Sequence, residues 1–392
     1  MSAVMPTYGR YNLSFERGEG AYLFATDGRR FLDFATGIAV NSLGHCHPHL
    51  VKAVQKQVAT LWHTSNLYDI PGQIKLADRL SDATFADSVF FCNSGLEAVE
   101  GAIKLARRYQ YANGAPERWR FVTCEGSFHG RSLTSIAASK NPKHLEGFGP
   151  EADGFDMVAF GNLNELRAAI TPETAGILVE PVQGESGIRP ADLDYLRSLR
   201  EVADEFGVLL VFDEVQCGGG RTGKFSAHEW AGITPDVMSM AKGLGGGFPI
   251  GAVLATEEAA KGMVPGTHGS TFGGNQLAAA AANAFMYVVT EEGFMDRVDA
   301  IGRVLWDKTV DVVAKHPGVY KSVRGAGLMI GIICEIPNSD VITRLHDEGM
   351  LTVPAGDNVA RLLPPLTIEE SHIDEAVAML DRVGEALKPS DG

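Results

Sequence analysis

Positive charge is in short supply in this sequence: 34 Lys and Arg face 49 Asp and Glu, a formal net charge of −15. Nucleic acid and anionic membrane surfaces are poor partners for such a chain. Cysteine is sparse too. Its five copies, Cys46, Cys92, Cys124, Cys217 and Cys334, are odd in number and widely scattered. That pattern excludes a disulfide framework and fits a reducing, cytoplasmic compartment. No uninterrupted apolar run reaches the length of a membrane span. The opening stretch, MSAVMPTYGRYNLSF, lacks the basic-then-apolar order of a secretory signal. Metal-ligand pairs are missing as well. Residues 44–49 read GHCHPH, but no second pair of suitable spacing follows them, so no metal is expected. Internal repeats and low-complexity segments are absent.

What is present is a chain of 392 residues, 45% apolar, enough for a large core and two lobes. The informative stretch runs from Gly207 to Gly247. It opens with Val208-Leu209-Leu210-Val211-Phe212, too short for a typical helix and rich in β-branched residues, which reads as a buried strand. Asp213 and Glu214 stand at its carboxyl end. Residues 235–241 read as a second short strand, delivering Lys242 into the glycine-rich turn Gly243 to Gly247. An Asp at one strand end and a Lys at another suit pyridoxal phosphate (PLP). The Lys forms a Schiff base with the aldehyde, and the Asp keeps the pyridine nitrogen protonated.

The surrounding pattern alternates strand and helix. A hairpin is expected over 21–34 and helices from His49 to Leu61 and Pro71 to Leu80. The strand Ser88 to Cys92 runs into Ser94-Gly95-Leu96-Glu97, with capping-box spacing between Ser94 and Glu97. A strand feeding a helix N-terminus in this way is a natural phosphate site. A further strand, Arg120 to Thr123, precedes a loop carrying Phe128, able to stack on a ring, and Arg131, able to fork onto a carboxylate. The strand Gly176 to Pro181 has Glu180 and Glu185 at and beyond its end. A helix capped by Asp192 and stopped by Gly207 follows. The alternation predicts an α/β fold with a mainly parallel sheet and ligand chemistry at its carboxyl edge. Gly218 to Lys224 mimics the start of a P-loop, but Phe225 stands where a Ser or Thr must hold magnesium. Toward the C-terminus helices are expected over 277–289, 295–314 and 372–387, with strands near 327–334 and 350–354.

The string FDEVQ, GRTGKF, PDVMSMAKGLGGG resembles the signature of class III aminotransferases. Asn93 to Ala98 is similar to the N-S-G-x-E-A segment of that family, with Leu96 in place of the usual Thr. Arg361 to Leu366 matches its R-[FL]-x-P-P-L segment. The resemblance implies a PLP-dependent transferase of fold type I. Its large domain would span residues 50–290, and residues 1–49 and 291–392 would form a small α+β domain. It also implies a homodimer with shared active sites, PLP as cofactor, and Lys242 as the catalytic residue. Ser94, Gly95, Leu96 and Thr271 then belong to the phosphate site, Thr271 reaching across to the neighbouring subunit. Asp213 holds the pyridinium proton, Gln216 the phenolic oxygen and Phe128 one ring face, with Glu180 alongside. On the substrate side the resemblance implies Tyr8, Gly37, Arg131, Arg361 and Glu185, the last masking Arg361. The N-terminal string from Thr7 to Pro48 is most similar to members that exchange an amino group between N2-acetylornithine and 2-oxoglutarate. Those acting on free ornithine carry a Tyr where Gly37 falls, so the missing side chain leaves room for an acyl group. Succinylornithine, ornithine and acylated lysine-pathway amines remain open as substrates. A catalytically dead member that only binds ligands would have lost Lys242 or Asp213, and both are present.

Overall fold

The computed structural model describes residues 3–388. Its centre is a seven-stranded sheet with strands, in chain order, β1 (Ser88–Cys92), β2 (Arg120–Cys124), β3 (Phe155–Val158), β4 (Thr174–Val179), β5 (Leu209–Asp213), β6 (Val237–Met240) and β7 (Gly251–Ala255). The spatial order is β1-β7-β6-β5-β4-β2-β3. Pairs β5–β6, β4–β5, β2–β4 and β2–β3 are parallel, and β7 alone runs against both of its neighbours. All residues of β4, β5, β6 and β7 are buried, as strands covered on both faces require.

Two helices show how local sequence sets these elements. Helix α1 (Gly95–Ala112) starts at Ser94, whose hydroxyl accepts the N–H of Glu97 at 3.2 Å. The reciprocal arm of the anticipated box goes one residue further back: the Glu97 carboxylate takes the N–H of Asn93 at 2.5 Å. Helix α2 (Leu193–Phe206) is capped by the Asp192 carboxylate, which accepts the N–H groups of Asp194 and Tyr195, and it ends at Gly207. Its Leu196, Leu199, Val202 and Ala203 pack onto Val179, Leu210 and Phe212 of the sheet.

Two four-stranded sheets lie outside the central one. Tyr320–Ala326, Met329–Cys334, Val359–Leu362 and Val353–Ala355 make an antiparallel sheet. Phe15–Glu19, Tyr22–Ala25 and Arg30–Asp33 form another, to which Met350–Leu351 adds in parallel. The two chain ends thus share a sheet. The strand expected near 327–334 is one arm of a hairpin whose other arm is Tyr320–Ala326. The strand expected near 350–354 is two short strands in different sheets. No described helix is long and apolar enough to cross a membrane, and the five cysteines are unpaired.

Candidate active site

Carboxyl ends of the central strands converge on one cavity of about 240 Å³, lined among others by Gly95, Leu96, Phe128, Arg131, Glu180, Asp213, Gln216 and Lys242. Each arrives by a different route. Strand β5 ends at Asp213, whose Oδ2 lies 2.8 Å from Nδ1 of His129 and whose Oδ1 accepts the N–H of Val215 at 3.0 Å. Both Asp213 and His129 are buried. After β6 the chain enters a 3-10 turn at Lys242, with φ +44 in the left-handed region. A non-glycine residue held there stores backbone strain, a common feature of functional positions. Burial lowers the pKa of the Lys242 ammonium. Glu185, Asp213 and Glu180 oppose that shift, and Arg361 adds to it.

Glu180 lies just beyond β4. Its carboxyl group accepts the N–H of Phe128 at 2.7 Å and of Gly184 at 3.4 Å. Burial, and then the nearby Asp213, push its pKa well above the usual carboxylate range. Phe128 is thereby held at the cavity edge by its backbone. Arg131 is exposed, its guanidinium carbon 5.5 Å from the centroid of the Phe128 ring.

A second constellation adjoins the first. Arg361, on the strand Val359–Leu362, is buried and pairs with Glu185 through two contacts, Nη1 to Oε1 at 2.6 Å and Nη2 to Oε2 at 3.2 Å. Such a fork-on-carboxylate pair is geometrically specific. Nη2 also donates to the carbonyl of Pro354 at 2.9 Å, and Nη1 to Oε1 of Gln216 at 3.2 Å. The Gln216 amide donates in turn to Oε1 of Glu185 at 3.3 Å. Burial raises the pKa of Glu185, but the Arg361 guanidinium outweighs it and holds the carboxylate below its ordinary range. Gly184 makes this packing possible, since a Cβ there would sit 2.2 Å from Oε1 of Gln216.

Other expected residues lie apart within the single chain. Tyr8 is 75% exposed. Thr271 is exposed in the loop after β7 and lines no part of the cavity. Ser94 caps α1 beside it without lining it. Gly37 has φ +65, and a Cβ there would meet nothing closer than Nδ2 of Asn41 at 3.4 Å. Backbone conformation therefore favours glycine at 37 independently of any acyl pocket. The loop bearing it does reach the site's rear: a Cβ on Gly243 would sit 2.5 Å from Oγ of Ser42. Four lining residues were not anticipated: Val99, His129, Gly130 and Val215. His129 buttresses Asp213, and Val215 packs so close to Gly95 that a Cβ on that glycine would fall 2.6 Å from Cγ1 of Val215. Around residues 44–49, His45 pairs with Asp33 at 2.7 Å and His49 stacks on Tyr287. No group of three or more metal-ligating side chains comes together among the described residues.

Known proteins are similar to this chain over nearly its whole length. The acetylornithine aminotransferase of Mesorhizobium japonicum is 56% identical over 96% of this chain and 94% of its own. That of Brucella melitensis is 56% identical over 98% and 96%. Among solved structures, an ornithine aminotransferase from Toxoplasma gondii, with PLP at partial occupancy in its active site, superposes with a TM-score of 0.94 at 30% identity, covering 98% of this chain and 92% of that one. The N-acetylornithine aminotransferase from Stenotrophomonas maltophilia gives 0.84 at 35% identity, covering 97% of each. A model of the class-III aminotransferase family matches residues 4–383, and with the Asp213–Lys242 cavity in place the chain belongs to that family of PLP-dependent enzymes.

Proposed function

We propose that this enzyme moves the terminal amino group of N2-acetylornithine to 2-oxoglutarate, a step of arginine synthesis that yields N-acetylglutamate 5-semialdehyde and glutamate. The observation that carries the reading is the Glu185–Arg361 pair beside Lys242, because it lets one site serve two unlike substrates. PLP, when bound, supplies an aldehyde that takes up the amino group and a ring that accepts electrons. The residues fit it. Lys242 offers an amine of lowered pKa, and Asp213, braced by His129, offers a carboxylate for a ring nitrogen. Phe128 and Val215 offer apolar faces. The first N–H groups of α1, at Gly95 and Leu96, lack intrahelical partners and front the cavity, suiting a phosphate beside the Ser94 cap. Leu96 supplies no side-chain hydroxyl there. Gln216, which lines the cavity and hydrogen-bonds the Glu185–Arg361 pair, would hold the phenolic oxygen.

Lys242 Nζ would be the proton carrier in each half-reaction, between the substrate carbon that bears the amine and a carbon of the bound cofactor. Arg131 clamps the carboxylate remote from the reacting amine in both half-reactions. Arg361 binds the carboxylate adjacent to the amine in glutamate, and Glu185 covers that guanidinium while an acylated ornithine occupies the site. Thr271 completes the phosphate site of a second copy. Asn66 donates to the carbonyls of Ser270 and Gly273 at 3.0 Å each, so the loop of Thr271 abuts Leu67 (86% exposed) and Tyr68 (69%), beside Phe272 (58%). Exposed apolar side chains of this kind suit a homodimer interface. Sedimentation should return twice the chain mass, and Leu67→Glu with Phe272→Glu should return the single mass.

Parallel turnover of acetylornithine, succinylornithine and ornithine tests the substrate. Acetylornithine should have the highest kcat/KM; a higher value for either competitor would reassign it.

A further inference from the structure

Outside the inner cavity lies a larger chamber of about 680 Å³ that shares Phe128 and Arg131 with it and is bordered also by Glu185. One wall is the short helix Pro142–Leu145, capped by Asn141, which presents His144. The His144 ring meets the Phe128 ring edge-on, centroids 5.9 Å apart and planes at 86°. Phe128 is pinned by the Glu180 carboxylate, so this contact sets His144 against the cavity mouth. Nδ1 of His144 is shielded from solvent and has no hydrogen-bond partner among the described residues. A buried polar atom left without a partner costs stability unless something else satisfies it.

We propose that His144 is a specificity-determining residue that hydrogen-bonds the acyl amide of the amine donor in this outer chamber. A neutral imidazole carries one N–H donor and one bare nitrogen, and a secondary amide carries one carbonyl acceptor and one N–H donor, so a ring nitrogen can pair with one of the two amide groups in either tautomer. Burial, and then the neighbouring Arg131, lower the pKa of His144 while Glu185 opposes them, which keeps the ring neutral near neutral pH. Free ornithine would bring an ammonium to the same place, beside Arg131, Lys140 and Lys143, which also line the chamber. Of the acids there, Glu185 is committed to Arg361 and Glu125 is exposed. The arrangement thus accepts a neutral amide and disfavours a second cation.

The inference rests on the reading of an acylated ornithine as donor, and the experiment separates the two. His144→Phe keeps the ring contact with Phe128 and removes both nitrogens; His144→Gln restores a donor and an acceptor. In single-turnover reactions of the holoenzyme, His144→Phe should lower the second-order rate for acetylornithine about tenfold, the worth of one hydrogen bond. The glutamate half-reaction should change less than about threefold, and His144→Gln should recover most of the acetylornithine rate. Equilibrium binding, followed by NMR titration, gives a readout apart from turnover. N-acetyl-L-norvaline, which keeps the amide and carboxylate but lacks the reacting amine, should bind His144→Phe about tenfold more weakly, and pentanoate, which lacks the amide, equally well. Unchanged N-acetylnorvaline binding, or equal losses in both half-reactions, overturns the role of His144. A wild-type preference for ornithine over acetylornithine overturns the donor reading itself.

Discussion

Glu180 shows how far environment departs from identity at the level of one residue. A carboxyl group walled off from water and facing Asp213 holds its proton far above the ordinary value of 4.5. Between 4.5 and that raised value the folded protein keeps a proton that the unfolded chain releases. Stability from this group is therefore full below the unfolded pKa and declines as pH rises through the window. Glu180→Gln cannot titrate. Relative to wild type, cofactor-free Glu180→Gln should gain stability progressively as pH rises above the ordinary carboxylate range, in urea denaturation. An offset that does not vary with pH would contradict the raised pKa. Lys242 and Asp213 stood out in the sequence as candidates because one closely follows and the other closes a short apolar strand. His129 was not, because its contact with Asp213 spans 84 residues and leaves no local pattern. Gly37 was read as space for a substrate, whereas its left-handed backbone is a reason of its own.

Single elements were readable where their ends carry chemistry. Helix α2 is the clearest instance, with Asp192 at its start, Gly207 at its end and one apolar stripe between them. Asp192→Ala should destabilise the protein by about 1 kcal/mol in urea denaturation, the usual worth of an N-cap, and leave acetylornithine turnover unchanged. A loss near zero would mean that the cap's N–H groups are equally well served by water. Strands β3 and β7 escaped notice for opposite reasons. All five residues of β7 are buried, and GAVLA has neither alternation nor a β-branched run. In β3, Asp156 interrupts the apolar pattern, yet Arg120 of the adjoining β2 neutralises it through two contacts of 2.7 and 2.9 Å. Pairing of that kind becomes visible only once the strands are neighbours.

At the scale of the whole molecule, the site depends on bringing the last quarter of the chain against the central sheet. The backbone N–H groups of Leu363 and Leu366 donate to the carbonyls of Phe34 and Ser42 in the N-terminal segment, and the Thr36 hydroxyl donates to the carbonyl of Leu363. Those contacts set Arg361 against Glu185, 176 residues away in sequence. The family motif contained Arg361 and the resemblance implied Glu185, but only the folded chain shows Gln216 joining them to the cavity. If this pair is a switch, its two states should be separable by substrate. The decisive measurement is single-turnover kinetics of Arg361→Ala and Arg131→Ala, following the cofactor's colour with acetylornithine alone and with glutamate alone. Arg361→Ala should weaken the glutamate half-reaction by roughly 2–5 kcal/mol and largely spare the acetylornithine half-reaction, while Arg131→Ala should damage both. Equal loss in both half-reactions for Arg361→Ala would contradict the switch and leave Arg361 as a structural ion-pair residue.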